Sequence, residues 1–168
     1  MPRAPSIFAS LLATATLAAL LLCLPPARAQ SAGQAQPLSS FPRTQLQVTT
    51  HGRASHRFDV WVADTPERAA QGLMFVSDLP DNKGMVFPLD PPRVESMWMK
   101  NTYIELDMLF VRSDGRISKI IERAHPLSLE TLSSEAPVAA VVELRGGLVA
   151  KLGLKIGDVV RWDKPASN

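Results

Sequence analysis

Apolar and polar side chains alternate with a period of two in one stretch after another. In 44–50, Leu46 and Val48 alternate with Gln45, Gln47 and Thr49; in 57–62, Phe58, Val60 and Val62 share a face. Residues 104–111 bring Ile104, Leu106, Met108 and Phe110 together. This period sends successive side chains to opposite sides of a strand, so it predicts half-buried strands rather than helices. Ser113-Asp114-Gly115-Arg116 supplies a tight turn into 117–123, so 104–123 reads as a hairpin. Residues 138–144 are almost continuously apolar, the pattern of a strand covered on both faces, and 158–162 forms a last strand. Two short helices interrupt the series. Thr65, Pro66 and Glu67 make a helix start that Gly72 ends. A second covers about 147–152, with Leu148 and Leu152 on one face, Lys151 in its last turn and Gly153 after it. Its start is poorly capped, because Gly146-Gly147 stand where Ser, Thr or Asp would serve better. The expected fold class is α+β, mainly β: a small barrel-like or strongly curled sheet with two short helices. No strand–helix–strand series long enough for a doubly wound sheet is present.

The chain is 168 residues long, enough for one domain, and its ends fall outside the alternation. Arg3 precedes an apolar run over 7–24, Pro25-Pro26 end it, and Ala27-Arg28-Ala29 follows. This is the pattern of a secretory signal peptide cleaved after Ala29, which predicts export to the periplasm. The alternative is an uncleaved N-terminal membrane anchor, since the run reaches the lower edge of a span. Leu22 before Cys23 argues against a lipoprotein site. Residues 30–43, rich in Gln, Ser, Ala and Pro, read as a flexible linker, 44–163 as a single globular domain and 164–168 as a frayed tail. Cleavage would remove Arg3, Arg28 and the lone cysteine, so the eighteen basic residues become sixteen against sixteen acidic ones. A neutral, thiol-free domain offers no disulfide and no cysteine nucleophile, and no excess of cations for a nucleic acid. No membrane span is expected after cleavage.

The densest unusual stretch is 97–107. Met97-Trp98-Met99 runs into Lys100-Asn101-Thr102, and Glu105 and Asp107 follow; Glu143 interrupts the apolar run of 138–144. In one reading Lys100, Asn101 and a carboxylate form a polar pocket for a small ligand. In the other Asp107 or Glu143 pairs with Lys100, and Asn101 ties down a turn. All five methionines beyond Met1 (Met74, Met85, Met97, Met99, Met108) fall between 74 and 108. Thioethers suit cuprous ions, but these are dispersed among core-like positions with no Met-x-x-Met run, so core filling accounts for them. His51, His56 and His125 lack zinc-ligand spacing, and no nucleophile elbow or phosphate-binding glycine loop occurs. No metal and no cofactor is expected.

The motifs GLMF (72–75), GMVFPL (84–89), MWMKNT (97–102), LDMLFV (106–111) and LGLKIGD (152–158) occur in this order. Together they resemble the bacterial and archaeal family called domain of unknown function 192, over about residues 45–162. The resemblance implies a small, mostly β, barrel-like domain, often exported, and carries no established activity. Trp98, Lys100, Asn101, Thr102 and Asp107 match its motif. Val76 stands where the family often has a basic residue, and Tyr103-Ile104-Glu105 where a proline is common. The second helix also lacks the family's Thr-type cap.

The function expected is non-catalytic binding of a small ligand or a partner protein through Trp98, Lys100, Asn101, Thr102, Asp107 and Glu143. The alternatives are a cofactor-free hydrolytic or sugar-acting enzyme using Asp107 or Glu105 with Lys100, and a methionine-based copper-handling protein.

Overall fold

The computed structural model describes Met1 and residues 35–163. The chain divides into two compact units, Met1–Ala32 and Gly33–Asn168, and every element below lies in the second. Except for Met1, the leader expected over 1–29 falls outside the described residues, as do 30–34 of the expected linker and the tail over 164–168.

A short 3-10 turn, Leu38–Ser40, leads into β1 (Arg43–Thr49) and β2 (Ser55–Val62). Then come α1 (Pro66–Gln71), β3 (Lys83–Arg93), β4 (Ser96–Met97), β5 (Leu106–Val111) and β6 (Ile117–Ala124). β7 (Leu132–Ser133), β8 (Val138–Arg145), α2 (Leu148–Leu152) and β9 (Val159–Trp162) complete the chain. Seven strands form one sheet in the order β6-β5-β8-β3-β2-β1-β9, and β4 pairs with β7 separately. Only β2 and β3 run parallel within the large sheet, so the connection through α1 crosses over between them.

The sheet curls until its two edges meet. Arg116 and Val159 form an isolated bridge, and Val160 N–H donates to Gly115 O at 2.8 Å. The edges touch there without pairing along their length, so the barrel is not closed. Curling gives the sheet two buried sides. The inner core holds Leu46, Val48, Phe58, Val60, Val86, Leu109, Val142 and Val160, with Leu148 and Val149 of α2. The other core holds Met85, Phe87, Met99, Leu106, Met108, Phe110 and Val141, covered by Leu73 and Leu79 from the crossover. Every residue of β5 is therefore buried, and most of β8.

One boundary and one strand differ from expectation. Phe41 is buried in the second core, which draws the last part of 30–43 into the fold. The backbone N–H of Gln36 also donates to Gln71 Oε1 at 2.6 Å. One buried aromatic is enough to anchor a segment whose other residues are polar. β3, the central strand of the sheet, has no counterpart in the sequence reading. Its Pro88, Pro91 and Pro92 argue against a strand, yet they lie where pairing with β8 slips between Pro88 and Arg93.

Candidate functional site

Three loops converge beside the second core: 72–76 after α1, 98–103 after β4, and 125–129 after β6. Backbone hydrogen bonds tie them together. Phe75 N–H donates to Asn101 O at 2.8 Å, Leu127 N–H to Thr102 O at 3.0 Å, and Met99 N–H to Ser128 O at 3.1 Å. Within the central loop Thr102 N–H closes a turn on Met99 O at 3.1 Å, and Asn101 sits at its third position with φ 55°. Asn tolerates that left-handed conformation better than most residues, which explains an amide at this place. The buried Thr102 hydroxyl donates to Lys100 O at 3.3 Å, and Asn101 Nδ2 reaches Met74 Sδ at 3.8 Å.

The apolar side chains these loops carry point outward. Trp98 is 48% exposed, Tyr103 52%, Phe75 47% and Leu127 57%. The Phe75 and Tyr103 rings meet edge to face with centroids 6.1 Å apart, and the Lys100 ammonium lies 5.0 Å from the centre of the Trp98 ring. Lys100 forms no ion pair among the described residues. Phe75 and Leu127 also hold positive φ, 65° and 63°. A bulky side chain in that region costs about 1–2 kcal/mol, and such strain clusters at functional sites. Here it accompanies apolar groups that folding does not bury. Phe75, Tyr103 and Leu127 were missed in the sequence, because an isolated exposed apolar residue has no local pattern.

Asp107 lies elsewhere, fully buried. Its Oδ1 accepts from Arg123 N–H at 2.8 Å and Gly147 N–H at 3.0 Å, and its Oδ2 from Val149 N–H at 2.8 Å. Pairing of β5 with β6 slips from Leu106–Ala124 to Met108–Ile121, and Asp107 fills the irregularity. The same carboxylate caps α2, whose N-cap residue, Gly147, has no side chain to do so. Glu105 pairs at the surface with Arg123 at 2.6 Å. The pairing of Lys100 with Asp107 or Glu143 that the sequence left open does not occur.

Glu143 is buried in β8, opposite Met85 of β3 and Met108 of β5. Among the described residues its Oε2 has no hydrogen-bond partner. Burial alone pushes its carboxyl up to about 8, so the group is mostly protonated near neutral pH.

Two described grooves are lined by none of Phe75, Trp98, Tyr103 and Leu127. One, of about 800 Å³, runs past Gln47, Arg57, Asp90, Arg112 and Trp162. The other, of about 620 Å³, lies among the paired charges of Asp81, Glu105, Arg123, Arg145 and Lys151. No three His, Cys, Asp or Glu side chains gather among the described residues. No described helix is long and apolar enough to cross a membrane.

The fold is thus a curled, mainly β domain with a loop-borne aromatic face at one end of its second core. The chain belongs to the DUF192 family, described as "Uncharacterized ACR", whose model matches residues 46–162. It is similar to a crystal structure from Sinorhizobium meliloti 1021, described as a candidate transcription regulator. The TM-score is 0.72 and the identity 38%, over 77% of this chain and 98% of that one. A protein of unknown function from Novosphingobium aromaticivorans DSM 12444 is similar at TM-score 0.72 and 38% identity, over 79% of this chain and 94% of that one. No curated protein matches.

Proposed function

We propose that this is an exported, periplasmic binding domain without catalytic activity, and that its ligand is a partner protein. The observation that carries the reading is the exposed group of Phe75, Trp98, Tyr103 and Leu127 on three hydrogen-bonded loops, two of them strained. Neither described groove is lined by these residues, and a flat aromatic face suits a protein surface better than a small molecule. Tyr and Trp are the residue types that dominate binding energy at such faces. Lys100, the cation of the face, favours a partner that sets a carboxylate beside its own apolar groups. Export rests on the leader over 1–29.

The hydrolytic alternative draws little support. Asp107 is occupied by three backbone N–H groups, Glu105 by Arg123, and Lys100 stands over Trp98. A role in transcription, suggested by the relative's description, would need a basic face. The sixteen basic and sixteen acidic residues expected after cleavage supply no overall excess of cations to favour one.

The test compares proteins retained by the immobilised wild-type chain with those retained by a Trp98→Ala/Tyr103→Ala double variant. Both side chains are half exposed, so the variant should melt within a few degrees of wild type. The expected result is a specific component, held by the wild type and weakened at least a hundredfold in the variant. Equal retention by the two proteins would contradict the proposal.

A further inference from the structure

Glu143 is a buried acid for which the aromatic face has no use. It stands directly opposite Met85 on one neighbouring strand and Met108 on the other. Directly opposed residues share a face of the sheet, with Cβ atoms about 4.5–5.5 Å apart. A row Met85–Glu143–Met108 therefore crosses three adjacent strands, with no member more than 4% exposed. Met99 lies in the same core. Oε2 of Glu143 is sealed from solvent and, among the described residues, unpartnered. A Cβ placed on Gly72 would lie 4.0 Å from that oxygen, an ordinary van der Waals contact, so Gly72 borders the carboxyl. A carboxyl whose register partners on both neighbouring strands are methionines is a poor choice for core filling, since burying it without a partner is unfavourable and Leu would pack as well.

We infer that Met85, Glu143 and Met108 form a site for a soft monovalent cation of the cuprous type. Thioether sulfurs are soft ligands that select cuprous ions, and the carboxylate supplies the charge that a buried cation requires. Calcium and magnesium demand more oxygen ligands than one carboxylate provides. A zinc site lacks its usual imidazole or thiolate set here. Uptake exchanges the Glu143 proton for the cation, so one proton leaves for each ion bound and no oxidation state changes. Of the five methionines clustered in sequence, the sheet register selects two. The site is independent of the aromatic face.

The test titrates the full chain, carrying 13C-labelled methionine methyl groups, with Ag(I), a redox-stable stand-in for the cuprous ion. Saturation at one equivalent is expected, with the Met85 and Met108 methyl signals moving together. Glu143→Gln, Met85→Leu and Met108→Leu nearly conserve volume and should each weaken binding at least tenfold. Met97→Leu, on β4, should leave it unchanged. Melting curves of the metal-free variants separate loss of the site from loss of the fold. In the wild-type protein alone, absence of saturable uptake, or shifts confined to other methionines, would overturn the inference. Undiminished affinity in folded Glu143→Gln would do the same.

Discussion

Metal-free protein should lose stability as the pH rises from about 5 to about 8, then level off, and Glu143→Gln should remove most of that loss. The direction follows from linkage. Burial lifts the Glu143 carboxyl from 4.5 to about 8 in the folded chain. Between those values the folded state holds a proton that the unfolded state has released, so raising the pH favours unfolding. The stabilisation from this group is complete below the lower value, falls through the window and is gone above the upper one. At about 1.36 kcal/mol per pKa unit the whole window amounts to roughly 5 kcal/mol as an upper limit. A domain of this size has only about 5–15 kcal/mol in hand, so the effect is large enough to dominate. Glutamine keeps the shape and cannot ionise. Urea unfolding at a series of pH values measures it, and parallel wild-type and variant profiles would show that Glu143 is not desolvated as described.

Asp107→Ala should destabilise the fold by about 3–5 kcal/mol. It strands three backbone N–H groups, those of Arg123, Gly147 and Val149, in or beside the core. Each such loss costs about 1–3 kcal/mol, and relaxation makes the sum less than additive. Asp107→Asn should fall between the two, because its amide nitrogen cannot accept from one of the donors. Hydrogen exchange at Gly147 and Val149 should accelerate with the loss, locating the damage at the start of α2. A cost below about 1 kcal/mol for the alanine variant would mean that the capping role is incidental.

These residues also show what the sequence could reveal. The alternation around Leu46 and Phe58 identified strands because the curled sheet buries one face of each; the strand of Met108 was found too, although both its faces are buried, and the Asp114-Gly115 hairpin is present as expected. β3 escaped because its three prolines carry the signal of a loop, while Pro91 and Pro92 fall where the β8 ladder slips between Pro88 and Arg93. Asp107 stood out correctly as a carboxylate in an apolar strand. Its partners lie 16 to 42 residues away, on α2 and β6, and no spacing rule reaches them. The weak start of α2, with two glycines and no capping side chain, was the other half of the same observation. Trp98, Lys100 and Asn101 do adjoin one another, as their order requires. Phe75 and Leu127 join them only through the turns that tie 72–76 and 125–129 to that loop.

Membership of the DUF192 family and two relatives at 38% identity make the fold secure, so the open issue is what meets the aromatic face. The most direct measurement is photo-cross-linking in cells that make the protein naturally, with benzoylphenylalanine placed at position 103 and, separately, at exposed position 53 on the β1–β2 turn. Position 103 should give a discrete adduct with another protein, and Trp98→Ala should abolish it. No adduct at position 103, or the same adduct from position 53, would contradict a binding role for this surface.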